Sequence, residues 1–156
     1  MLLQEAEQSI VDRIATAPER PEILRVVAWP DSPLEYGRAQ MQTGIYVRFA
    51  GFRFPPVEGQ RQPYVQRGTA NFEIRLLLKD LRSHAGAYEW IEAVHRRLTG
   101  FRPPGNDAYS FGLPGLWLSE VSLVDRYKES NQWDWGAIFS TNVIYEGHYG
   151  DRNWIG

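Results

Sequence analysis

The sequence predicts an α+β domain with a mostly antiparallel sheet of four or five strands, two helices packed on one face of it, and long inter-strand loops. Two stretches carry apolar residues at spacings of three and four: Leu3, Ala6, Ile10 and Ile14 in the first, and Ala87, Trp90, Ile91, Val94 and Leu98 in the second. Each spacing puts its residues on one side of a helix. Other stretches alternate apolar and polar residues with the period of two that a half-buried strand requires. Along the chain the signals run helix, strand, strand, strand, helix, strand, strand. At 156 residues the chain has room for one such domain, spanning 1–156, with a core that needs no disulfide or structural metal.

The first helix ends where Pro18 and Pro21 bar its continuation. Ile23, Leu24, Val26, Val27 and Ala28 form an apolar run long enough for a strand and too short for a helix, closed by Pro30. Polar residues with Pro33 and Gly37 make the stretch from Asp31 to Gln42 a connection. Ile45, Val47 and Phe49 then alternate with Tyr46 and Arg48 as a strand. From Gly51 to Gly68 the chain holds Pro, Gly and the aromatics Phe52, Phe54 and Tyr64, which reads as a long functional loop or as an extended hairpin.

The next strand puts Phe72, Ile74, Leu76 and Leu78 on one face and Asn71, Glu73, Arg75 and Lys79 on the other, with Leu77 the exception, and it is expected at the centre of the sheet. The second helix has Ser83 for its N-cap, Gly100 for its terminus and Glu92 four residues before Arg96 as an ion pair. Pro103, Pro104 and Gly105 open another long connection, to Gly115. Two strands close the fold, around Leu116 to Tyr127 and Gln132 to Glu146, joined near Glu129 to Asn131. In the last, Trp133, Trp135, Phe139, Val143 and Tyr145 share one parity, opposite Asp134, Ser140, Asn142 and Glu146.

Composition narrows the function classes. The formal net charge is −2, which removes the global cationic footprint of a protein that holds nucleic acid by its phosphates. The absence of Cys excludes disulfides, thiolate metal sites and Cys nucleophiles. No apolar run approaches the roughly 18 residues needed to span a bilayer, so no membrane partner is expected. What stands out is six Trp, eight Tyr and seven Phe, together with 17 cations of which only Lys79 and Lys128 are Lys. Aromatic and Arg enrichment with Lys depletion marks interface cores, although a GC-rich genome also raises Arg. Trp90 and either Trp133 or Trp135 fit the core, which leaves Trp29, Trp117 and Trp154 as candidates for contact with another protein.

A catalytic site needs convergent reactive groups. His84, His95 and His148 form no metal-ligand spacing, and Glu89 and Glu92 fall on the solvated side of the second helix. No Ser lies in a GxSxG elbow, and neither a Walker A nor a GxGxxG sequence is present. The chain is therefore expected not to be an enzyme and to need no cofactor and no metal. A nucleic-acid module would interleave Arg with aromatics on a sheet, and Tyr46, Arg48, Arg53 and Phe54 come nearest.

The helix opening on Ile10 to Ile14, the strand from Ala70 to Leu78 and the helix ending His95-Arg96-Arg97-Leu98-Thr99-Gly100 occur here in a telling order. They are followed by the Phe101-Arg102-Pro103-Pro104 turn, a strand containing Leu118-Ser119-Glu120 and a final aromatic strand after Trp133. In this arrangement the sequence resembles the tail-terminator, or tail-completion, proteins of Mu-like and related long-tailed bacteriophages. The likeness covers most of the chain, with the segment from Gly51 to Gly68 matching least.

The resemblance implies a non-enzymatic virion protein, assembled in the bacterial host cytoplasm, that forms a hexameric ring at the head-proximal end of the tail tube. The ring stops tube polymerisation and joins tail to neck. Its implied partners are further copies of itself, the tail tube protein, the neck or connector protein and, as a further candidate, the tail sheath protein. DNA passes through the lumen without specific binding. A ring needs a heterologous interface, in which one patch meets a different patch on the next copy. Phe52, Arg53, Phe54 and Tyr64 from the first long segment, with Tyr109 and Phe111 from the second, are the expected contacts. The alternatives are another neck or head-completion protein and a small nucleic-acid-binding module using Tyr46 and Arg48.

Overall fold

Alternating strands and two one-sided helices leave one economical solution, a sheet whose apolar face is covered by both helices. The computed structural model takes it, and describes residues 2–16, 25–29, 43–56, 65–79, 84–128 and 131–146. In chain order the elements are α1 (Leu2–Ala15), β1 (Arg25–Ala28), β2 (Gly44–Arg53), β3 (Val65–Lys79), α2 (His84–Leu98), β4 (Tyr109–Phe111), β5 (Trp117–Tyr127) and β6 (Gln132–Glu146). The stretch from Asp31 to Gln42, Ile23, Leu24, Tyr64, Ser83, His148 and Trp154 lie outside the described residues.

The sheet runs β1-β2-β3-β6, and the far side of β6 is shared end to end by β5 and β4. β1 lies parallel to β2 and every other pairing is antiparallel. Six strands replace the four or five expected, because the three-residue β4 is too short to show a period inside a Pro- and Gly-rich connection. β3 is central, as its apolar content predicted, paired over 15 residues with β6. The segment after Gly51 is in part an extended hairpin: Phe52 pairs with Ala70 and Arg53 with Thr69.

One face carries the core. Ile45 and Val47 of β2, Phe72, Ile74, Leu76 and Leu78 of β3, and Ala137, Phe139 and Val143 of β6 are buried with Ala6, Ile10, Val11 and Ile14 of α1 and Ala87, Val94 and Leu98 of α2. All of the apolar positions that define the first helical period after Leu3 are within this set. The two helix ends also hold each other. Arg13 Nε donates to the Arg97 carbonyl at 3.1 Å, and Arg97 Nε donates to the Arg13 carbonyl at 2.8 Å. Each guanidinium thus satisfies a carbonyl left open at the other helix's C-terminus and complements its dipole. Gly100 follows α2 with φ of 82°, the left-handed terminator expected there. Glu92 and Arg96 are both exposed and form no ion pair among the described residues.

The opposite face departs from expectation. Its parity reads as solvated, yet Tyr46, Leu77 and Asp134 have no exposed surface and Gln132 only 1%. The unexplained Leu77 is therefore a buried residue of this second layer. Asp134 is held by Arg75, whose Nε donates to Oδ1 at 2.8 Å while Nη2 donates to Oδ2, a two-point fork. Arg75 Nη1 also bonds Glu73 at 3.0 Å, Arg48 pairs with Glu73 at 2.7 Å, and Tyr127 donates to Asp134 at 3.2 Å. The Trp29 ring lies 4.5 Å from the Arg48 guanidinium and 5.3 Å from that of Arg75, a cation–π arrangement that uses one of the surplus tryptophans inside the subunit.

Burial raises the Tyr46 hydroxyl above its ordinary pKa of 10.0, partly offset by Arg25, and burial followed by the Asp134 carboxylate raises Tyr127. Ionisation is therefore easier in the unfolded chain, so stability should fall as pH rises above 10. Denaturant midpoints at pH 9 and pH 11, with tyrosinate absorbance as a second readout, check this. Equal midpoints, or all tyrosines ionising together at their ordinary value in the folded protein, would count against it. No described helix is long and apolar enough to cross a membrane.

Candidate assembly interface

Beyond the helices, the core face of the sheet ends in a staircase of aromatic rings. Phe72 and Phe111 form its buried base, with centroids 6.1 Å apart. Phe49 meets Phe72 at 5.6 Å and Phe52 at 4.7 Å. Phe52 in turn stacks on Tyr109 at 5.0 Å and 21°, and touches Phe54 at 5.4 Å, while Tyr109 meets Tyr145 at 5.1 Å. These are the offset and edge-on geometries that aromatic quadrupoles favour. Phe52, Phe54, Tyr109 and Tyr145 are each half-buried, so the upper steps form an aromatic shelf open to solvent.

Local devices aim these rings. A bulge between Phe49 and Gly51 breaks the β2–β3 register, with Gly51 at φ 125°. The extra residue lets Phe49 and Phe52 face the same side, which strict alternation forbids. The Phe49 amide donates to the Glu7 carboxylate of α1 at 2.7 Å. Gly68 lets Phe54 lie across β3, since a Cβ there would stand 2.6 Å from Phe54 Cδ1. On the other side, Asn106 Oδ1 accepts from the amides of Ala108 and Tyr109, both at 2.8 Å, a turn that starts β4 and delivers Tyr109 to the shelf.

Of the six expected contact residues, the structure brings Phe52, Phe54 and Tyr109 together and leaves Arg53 exposed, its register partner Thr69 lying on the face of the sheet opposite the shelf. Phe111 is 3% exposed and serves the subunit's own core, and Tyr64 lies outside the described residues. Tyr145 joins the shelf without having been singled out. It shares the parity of Val143, which fits core and surface alike, and only the pairing of Tyr109 with Tyr145 across β4 and β6 shows its place. Of the two residues of the nucleic-acid reading, Tyr46 is fully buried, while Arg48, its side chain 46% exposed, pairs with Glu73 and lies over Trp29. Among the described residues no group of three or more His, Asp or Glu side chains gathers to hold a metal ion.

Fold and site together define a small α+β domain that presents an aromatic surface at one end of its sheet. A family model described as Gp37 protein matches residues 10–143, and the chain belongs to the Gp37 protein family. Among solved structures it is similar to a chain in one titled as the virion of native gene transfer agent (GTA) particle, with a TM-score of 0.53 and 16% identity over 92% of this chain and 94% of that one. At that identity the likeness concerns the fold. No curated protein matches the sequence.

Proposed function

We propose that this protein is a structural component of a phage-type virion, and within the virion the tail terminator: a hexameric ring on the head-proximal end of the tail tube that stops tube growth and joins tail to neck. The observation that carries the virion part is membership of the Gp37 family over residues 10–143, supported by the fold shared with a chain of the GTA virion. The terminator part rests on the element order and the helix-to-Pro turn described above. The aromatic shelf supports assembly as the activity, since clustered half-buried aromatics are common anchors of protein interfaces. In this reading Phe52, Phe54, Tyr109 and Arg53 contact the next copy or the tube. The protein acts without catalysis and without a cofactor, and the mild net acidity lets DNA pass the lumen without tight phosphate contacts.

Electron microscopy of the protein mixed with tail tubes from its own particle tests the proposal. A ring capping one end of each tube is expected, and bare tube ends at saturating protein would overturn it. Removal of the protein from the assembling particle separates the neighbouring role: a terminator leaves over-long tails, whereas a neck or head-completion protein leaves tails of normal length that do not join heads.

A further inference from the structure

A second apolar surface lies at the other end of the helix-covered face. Tyr88 of α2 is 49% exposed and Leu123 of β5 is 41% exposed, and both converge on Trp135 of β6. Tyr88 meets the Trp135 ring edge-on at 6.0 Å, and Leu123 is the register partner of Trp135. Trp135 is half-buried. Two positions before it and on the same face, the Trp133 ring lies 4.4 Å from the guanidinium of Arg126, an exposed residue. This cation–π contact holds a positive charge beside the patch. Glu89 and Glu92, the exposed carboxylates of α2, are on its solvated side.

The aromatic shelf carries the opposite charge beside its rings. Asp107 is exposed and stands in the turn that Asn106 closes onto the Ala108 and Tyr109 amides, two residues before Tyr109. On the other face of that end of the sheet, by register, are Arg53, Arg67 and Glu146.

Shelf and patch cannot meet within one chain. Tyr109 is paired with Tyr145 and Leu123 with Trp135, and ten positions of β6 separate the two partners, about 33 Å at ~3.3 Å per residue. Between two copies three contacts can be drawn. Shelf on shelf sets Asp107 beside Asp107, and patch on patch sets Arg126 beside Arg126, both repulsive. Shelf on patch joins aromatic to aromatic and Asp107 to Arg126, so the charges select it over the two symmetric alternatives.

We infer that the Tyr88, Leu123 and Trp135 patch, with Arg126 at its margin, receives the aromatic shelf of a second copy of this chain, with Asp107 of that copy against Arg126. The contact leaves a free shelf on one copy and a free patch on the other, so it is heterologous and repeats from copy to copy. The inference rests on the assembly reading and names both halves of its self-contact.

Because the chain has no Cys, introduced thiols report without background. Gln66 is the register partner of Tyr145 on the shelf's face, so Gln66→Cys marks the shelf and Leu123→Cys the patch. The two full-length variants, mixed and oxidised with tail tubes present, should give a disulfide-linked dimer at least ten-fold above either variant alone. Arg126→Asp in the Leu123→Cys chain should lower that yield about ten-fold, and Asp107→Arg in the Gln66→Cys chain should return it to within about three-fold. That rescue also shows that the altered chains still fold. Equal dimer from one variant alone would mean a symmetric contact and overturn the inference, as would failure of the charge swap to restore the yield. Rings on the tubes with no mixed dimer would overturn it and leave the terminator reading intact. A mixed dimer without rings would sustain the docking and remove the terminator reading, and absence of both would remove both.

Discussion

Asp134→Ala is expected to destabilise the folded protein by about 3–5 kcal/mol, the cost of leaving one half of a buried ion pair without its partner. Asp134 has no exposed surface, and the Arg75 side chain that forks onto it is 13% exposed. Removing the carboxylate also strips Tyr127 of its acceptor. Glu73 compensates little, because it already bonds both Arg48 and Arg75. At roughly 2–4 °C per kcal/mol for a domain of this size the loss corresponds to a Tm lower by about 10 °C. Urea unfolding at fixed pH measures it, and a change below 1 kcal/mol would mean that water reaches the pair. The double variant Arg75→Met/Asp134→Leu is the informative companion. Replacing both charges by apolar groups of similar volume should recover most of the stability, since buried pairs rarely exceed their own desolvation cost. Arg48→Ala, by contrast, removes a half-exposed pair worth at most about 1 kcal/mol.

Paired Phe52→Ala and Phe54→Ala replacements should weaken capping of tail tubes by at least about 30-fold, the equivalent of about 2 kcal/mol for truncating true interface anchors. The readout is the fraction of tube ends bearing a ring as protein concentration is raised. Both rings are half-buried, Phe52 leaning on Phe49 and Tyr109 and Phe54 on Phe52, so some loss of subunit stability accompanies the change. Melting of the isolated variant separates the two effects: a folded subunit that no longer caps indicts the surface. Unchanged capping by a folded variant would remove the shelf from the interface and leave it as a lid on the subunit's own core.

Much of this architecture was legible before any coordinates. Ala6, Ile10 and Ile14 on one stripe, and Phe72, Ile74, Leu76 and Leu78 on one face, follow from periods that belong to the local backbone. The helix end at Gly100 was equally visible, because a left-handed terminator is a property of one residue. The candidate site was half legible. Aromatics surplus to the core at Phe52, Phe54 and Tyr109 were noticed, but the bulge that turns Phe52 beside Phe49 breaks the very alternation by which strands are read. Tyr145 was hidden in a pattern that fits core and shelf alike.

Asp134 is the sharpest miss. Between two tryptophans it reads as the polar side of a half-buried strand, and nothing nearby says otherwise. Its partner Arg75 lies 59 residues away, and Trp29, which covers that partner, belongs to the far edge of the sheet. The sequence by itself therefore determined the elements, their amphipathic faces and the α+β class, because these depend on spacings of two to four residues. Tertiary structure alone decided that the second face of the sheet is buried around an ion pair, that Phe111 turns inward while Phe52 and Tyr109 stack at the surface, and that β5 and β4 share the far side of β6. Each of those outcomes depends on which distant strand arrives beside a residue, and burial and pairing are set by neighbours in space.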